Sequence, residues 1–136
     1  VIVADVNLVA YLVLGGPEQS AAQRVFTRDP EWAAPLLWRS EFRSVLAGYI
    51  RQRGLSVTDA ARAHALAEAL LANREYMVQG DRVLTIVAGS TCSAYDCEYL
   101  ALAEQLAVPL VTADRAVVRA FPNRAVSPED FAARPT

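Results

Sequence analysis

The chain has 136 residues, 54% of them hydrophobic. That is enough for the core of one ordinary domain, and it excludes a disordered chain. Thirteen basic residues against 15 acidic ones leave a net charge of −2, which argues against sequence-blind capture of nucleic acid by a basic surface.

All 13 basic residues are arginine. Without lysine there is no P-loop lysine, Schiff base or lysine general base, and with His64 as the only histidine no multi-histidine metal site can form. Cys92 and Cys97 have neither zinc-finger spacing nor the partners of a disulfide framework. No apolar run reaches the ~18 residues of a membrane span, and no basic stretch followed by an apolar one marks a secretory signal. The expectation is one domain over residues 1–136, cytoplasmic, with reduced thiols.

Short apolar runs alternate with longer helical patterns, the signature of βαβ units and a mostly parallel sheet. Val1–Ala4 reads as a strand buried on both faces, hence central. A helix is expected from Pro17 to Arg28, then a short strand over Trp32–Pro35. Leu36–Arg53 is a strong helix closed by Gly54, and Thr58 to about Arg74 is a second, capped by Ser56 or Thr58. Tyr76–Gln79 is a brief strand. Asp81 is read as the cap of a helix reaching about Gly89, and Ser93 opens another through Ala107. Val108–Thr112 is the second clear strand, followed by a short helix over Arg115–Phe121 and an edge strand near Ala125–Val126.

Four carboxylates fall in unusual places. Asp5 directly follows the first strand, and Asp114 lies two residues after Thr112 at the end of the other strong strand. In open α/β sheets ligands bind beyond the carboxyl ends of strands, although each aspartate would equally serve as a helix N-cap. Glu41 projects onto the margin of the stripe formed by Trp38, Phe42, Leu46 and Tyr49, at about 100° per residue. A glutamate there must be paired with an arginine, protonated or bound to metal. Asp96 projects among Tyr99, Ala103 and Ala107, although Ser93 and Asp96 also resemble a capping box.

Four such acids cannot share a site unneutralised. Mg²⁺ or Mn²⁺ resolves the conflict, since hard cations prefer carboxylate and water oxygens. A metal held this way supplies the positive charge the surface lacks and supports hydrolysis at phosphorus without histidine or lysine. These residue types therefore permit a metal-dependent phosphodiester hydrolase.

The blocks VIVADVN, RSEFRSVL, SAYDCEYLALAEQL and VPLVTADRAV, in this order and spacing, resemble the PIN domain, and within it the VapC-like toxin ribonucleases of toxin–antitoxin pairs. The family's acids match Asp5, Glu41, Asp96 and Asp114; Asn7 and Thr112 match its supporting polar positions. The resemblance implies a three-layer α/β sandwich with a five-stranded sheet in the order 3-2-1-4-5, Mg²⁺- or Mn²⁺-dependent endoribonuclease activity on RNA, a cognate antitoxin and a homodimer. It implies metal ligation by Asp5, Asp96 and Asp114, activation of water by Glu41, and support from Asn7 and Thr112. Arg115 is a candidate contact to a substrate phosphate. Some relatives carry a further acid one turn after the last aspartate; here that position is Val118, which favours a single well-held metal.

Phosphatases of the haloacid-dehalogenase type and receiver domains, which also begin with an aspartate after a strand, are excluded by the missing lysine. A degenerate module that binds RNA or protein without catalysis is the remaining alternative. His64, Trp32, Trp38 and both cysteines are read as structural. Arg39, Arg43, Arg51 and Arg53 are read as a solvated helix face, with a basic flank for RNA as the alternative.

Overall fold

The computed structural model describes residues 1–135. Its elements are β1 (Ile2–Ala4), α1 (Val6–Leu14), α2 (Gln19–Arg28), β2 (Trp32–Pro35), α3 (Trp38–Arg53), α4 (Val57–Leu70) and β3 (Glu75–Tyr76). They continue with α5 (Gly80–Ala88), α6 (Ala94–Leu106), β4 (Leu110–Val111), α7 (Arg115–Ala120), β5 (Ala125–Val126) and α8 (Pro128–Ala133). The five strands form one sheet in the order β3-β2-β1-β4-β5, and every pairing is parallel. The expected architecture is therefore present, with the sheet wholly parallel rather than mostly so.

β1 is central because it can be buried completely: Ile2, Val3 and Ala4 carry no polar side chain and are at most 1% exposed. α6 packs across β1, β2 and β4, with α5 against it, while α1 contacts α2, α3 and α4. Trp32 and Trp38 are fully buried. Their indole N–H groups donate to Asp29 O at 2.8 Å and Glu75 Oε1 at 2.6 Å, so neither ring buries an unpaired donor. His64 is structural as expected, stacking on Trp38 and bonded to Glu68 at 2.8 Å. Of the apolar residues near the end of α4, Ala67 and Leu71 are buried within the chain, whereas Leu66 is exposed.

Several boundaries differ from the sequence reading. α1 carried no assignment there, because its sequence VNLVAYLVL has no polar face; three helices surround it, and Asn7 is its only exposed residue. α8 was likewise unassigned, although Ser127 caps it and Pro128 occupies its first turn, a recognised start signal. α4 stops at Leu70 rather than Arg74, since Asn73 takes a left-handed turn at φ 65°. Ser56, not Thr58, is its cap, accepting from Asp59 N at 3.0 Å. Asp81 does not cap α5: Gln79 is the N-cap residue, without a side-chain bond, and Asp81 lies in the first turn. Strand β3 is Glu75–Tyr76 and shares only Tyr76 with the expected Tyr76–Gln79, while β4 is Leu110–Val111, shorter than the expected Val108–Thr112.

Gly54 ends α3 in the left-handed region at φ 68°, its N–H donating to Tyr49 O. A Cβ there would meet nothing within 4 Å, so any cost of adding one is purely a backbone cost. Gly54→Ala should lower unfolding stability by about 1 kcal/mol, seen as a lower urea midpoint at unchanged slope.

Candidate active site

Two neighbouring strand ends create the site. Val3 pairs with Leu110 and Ala4 with Val111, so the residues that follow β1 and β4 emerge side by side. Asp5 N donates to Val111 O at 3.2 Å. Asp5 is also the N-cap of α1, its Oδ1 accepting from Leu8 N at 2.8 Å. Asp114 caps α7, its Oδ1 accepting from Ala116 N at 2.9 Å and Val117 N at 3.3 Å. The capping role and the position at the strand rim are thus both real for these aspartates. Each cap fixes one carboxylate oxygen and aims the group along the strand ends.

Thr112 links the two. It is 2% exposed; its hydroxyl donates to Asp5 Oδ2 and accepts from Asp114 N at 3.1 Å. A single buried hydroxyl therefore sets the position of one acid and the backbone of the other.

Glu41 lies in the first turn of α3. No arginine pairs with it among the described residues: Arg39 instead binds Glu75 Oε1 at 2.7 Å and Glu68 Oε2 at 2.9 Å. Arg39 is thereby corrected from a solvated face to an anchor of that acidic pair. Glu41 Oε1 accepts from the Tyr99 hydroxyl at 2.7 Å. Tyr99, 3% exposed, was read from sequence only as part of the apolar flank of Asp96. Its place one turn after Asp96 on the same face of α6 was the available signal. Ser93 caps α6, its Oγ accepting from Asp96 N at 3.1 Å, which leaves the Asp96 carboxylate on the open side of the first turn.

Asp5, Glu41, Asp96 and Asp114 line one cavity of about 100 Å³, together with Asn7, Tyr99 and Thr112. Asn7 is exposed at its rim, with no side-chain hydrogen bond to either aspartate. Arg115 stands outside this cavity, lining a neighbouring one. No arginine lines the acidic cavity.

The titration behaviour follows first from burial, with the neighbouring carboxylates adding to it. Burial pushes Asp5 up to about 6, opposed by the Thr112 and Leu8 hydrogen bonds and reinforced by the charges of Asp96 and Asp114. Glu41 is raised by burial, against the Tyr99 bond and with Asp96 and Asp5 adding repulsion. Asp96 is raised by burial, with Ser93 opposing and Asp114 reinforcing.

The donor set is all oxygen, as a hard divalent cation requires. Asp114 Oδ2 and Glu41 Oε2 accept no protein hydrogen bond among the described residues. The chemistry of the lining fits such an ion. The geometry is not that of a finished coordination sphere, for no three acidic, histidine or cysteine side chains converge as a metal-holding group among the described residues.

A carboxyl whose folded pKa exceeds its unfolded value costs stability once it ionises. For Asp5 that loss develops as pH rises from about 4 to about 6 and persists above. It amounts to at most about 3 kcal/mol. In chelator at pH 7, Asp5→Asn should therefore melt at a higher temperature than the parent, and the gap should close by pH 4. A variant that is less stable at pH 7 and no closer at pH 4 would contradict the cost of burying this charge.

No protein-family profile and no curated protein matches the chain. Solved structures do. A toxin–antitoxin complex from Klebsiella pneumoniae contains a chain 17% identical, with a TM-score of 0.69 over 94% of this chain and 98% of that one. The protein PAE2754 from Pyrobaculum aerophilum is 19% identical, with a TM-score of 0.76 over 98% of this chain and 87% of that one. At these identities the likeness establishes the fold alone, a parallel α/β sandwich.

Proposed function

We propose that this protein is a Mg²⁺- or Mn²⁺-dependent endoribonuclease, and that it is the toxin of a toxin–antitoxin pair. The observation that carries the nuclease reading is the gathering of Asp5, Glu41, Asp96 and Asp114, from four distant segments, around one cavity with no guanidinium among its lining residues. The toxin role is supported by the fold shared with a chain of the Klebsiella pneumoniae toxin–antitoxin complex and by the family resemblance of the motifs. In this reading the protein has a cognate antitoxin and acts as a homodimer.

Asp5, Asp96 and Asp114 would hold the cation. When bound, it supplies the charge that lowers the pKa of water and stabilises in-line displacement at phosphorus. Glu41 orients the attacking water and accepts its proton; burial raises its basicity toward the range useful to a general base. Tyr99 fixes one Glu41 oxygen and leaves the other without a protein hydrogen bond among the described residues. Thr112 holds Asp5 in the orientation its ligand role needs. Among the described residues no helix is long and apolar enough to cross a membrane.

A specific observation favours the alternative of a non-catalytic binding module, namely that the acids are not drawn together as a finished metal site. Two measurements separate the readings. Saturating Mn²⁺ should raise the melting temperature of the parent by on the order of 5 °C and leave that of Asp5→Asn unchanged. On total RNA, with cut ends mapped by sequencing, Asp5→Asn should lose at least about 100-fold in cleavage. Thr112→Val, which removes only the supporting hydroxyl, should lose about 10- to 100-fold. No thermal shift and no cleavage by the parent would select the binding module.

A further inference from the structure

A second cavity adjoins the acidic one across the turn that carries Thr112, Ala113, Asp114 and Arg115. Thr112 lines both, while Ala113 and Arg115 face the second. Its volume is about 590 Å³, inside the range of about 300–1,000 Å³ typical of small-molecule sites. The acidic cavity, at about 100 Å³, has room for an ion and a few waters, at about 30 Å³ each, and none for a nucleotide. A strand whose phosphate reaches the acids must therefore place its neighbouring nucleoside elsewhere, and the adjoining cavity is the nearest space of sufficient size.

Its lining is chemically divided. Arg115 and Arg119 stand four residues apart on α7, hence on one face of the helix. Neither makes an ion pair or side-chain hydrogen bond among the described residues; Arg43, Arg51 and Arg53 of α3 are also without ion pairs but line neither this cavity nor the acidic one. Glu18, Glu129 and Asp130 line the same cavity, as does Tyr11 from α1. Guanidinium groups suit phosphate oxygens. Carboxylates repel phosphate but accept hydrogen bonds from a base. Guanine presents adjacent N1–H and N2–H donors, a bidentate match to one carboxylate. Uracil presents a single N–H between two carbonyls, which a carboxylate repels.

The geometry points to this cavity as the seat of one nucleotide of the RNA strand beside the cut phosphate, with Arg115 and Arg119 on its phosphate and the carboxylates of the same lining selecting guanine over uracil. This inference deepens the nuclease reading and rests on it for the strand's path. Aromatic stacking and hydrogen bonding to splayed-out bases are the usual means by which proteins read single-stranded RNA, and Tyr11 is placed to provide the first.

The test is an NMR titration of the full chain with 5′-GMP and with 5′-UMP, in chelator so that no cation bridges the phosphate. GMP should shift the amides of Tyr11, Thr112, Arg115 and Arg119, binding about tenfold tighter than UMP. Arg119→Ala, at an exposed position, should weaken GMP about tenfold without changing the melting temperature. Asp130→Asn and Glu18→Gln, singly or together, should narrow the preference for GMP. Equal binding of both nucleotides, shifts elsewhere, or an unchanged affinity in Arg119→Ala overturns the inference. The same preparations are assayed on RNA with Mn²⁺. Cleavage by a protein whose second cavity ignores GMP leaves the nuclease standing and removes the subsite. Selective, Arg119-dependent GMP binding by a protein that cuts no RNA supports the subsite and removes the nuclease.

Discussion

Mutual repulsion among carboxylates is the constraint around which the candidate site is organised. Asp5, Glu41, Asp96 and Asp114 share a cavity with no arginine in its lining, and partial burial of the first three removes some of the water that would screen them. At Asp5 burial, reinforced by the charges of Asp96 and Asp114, holds the carboxyl near 6 although it accepts two hydrogen bonds. A protein that needed only stability would have replaced one of these acids or moved an arginine into range. Here Arg39, two residues before Glu41 on α3, is committed to Glu68 and Glu75 instead.

The fold holds this arrangement against its own electrostatics. Parallel pairing of β1 with β4 brings two strand ends to the same rim, and each acid at that rim is secured as a helix cap. The Thr112 hydroxyl then ties one to the other. Capping contributes on the order of 1 kcal/mol per helix, which offsets part of the repulsion with the same atoms that create it. The cap of α7 uses only Oδ1 of Asp114 and leaves its Oδ2 without a protein hydrogen bond among the described residues. Glu41 is treated similarly, with one oxygen fixed by Tyr99 and the other unclaimed. Each acid keeps donor capacity while its orientation is restricted, which is the condition for binding a hard cation with little rearrangement. The acids are not already closed around such an ion, so the proposed binding includes a small convergence of side chains.

Positive charge is distributed to match. Some guanidiniums are paired with carboxylates on helical surfaces, and Arg115 and Arg119, which make no ion pair among the described residues, line the cavity beside the acidic one. A net charge of −2 does not attract RNA by itself. Any attraction has to be local, between the cation held by the acids and the free arginines next to it.

Much of this was legible along the chain. The β-branched run at Val3 and the apolar run at Leu110 identified two buried strands, and parallel topology follows because helical segments separate them. Asp5 and Asp114 could be placed at the rim because a residue after a central strand has nowhere else to go. Glu41 and Asp96 stood out because helical periodicity set them against apolar neighbours. Other features depended on partners distant in sequence. α1 has no polar face to reveal it, since three other helices enclose it. Tyr99 read as core until its hydroxyl met Glu41, 58 residues away. Arg39 read as solvated until α4 and β3 brought Glu68 and Glu75 to it. Local sequence determined which residues were out of place, because periodicity and strand ends are local properties. Which of those residues face one another was decided only by the tertiary structure, because the energy of a charge depends on neighbours that the chain order does not name.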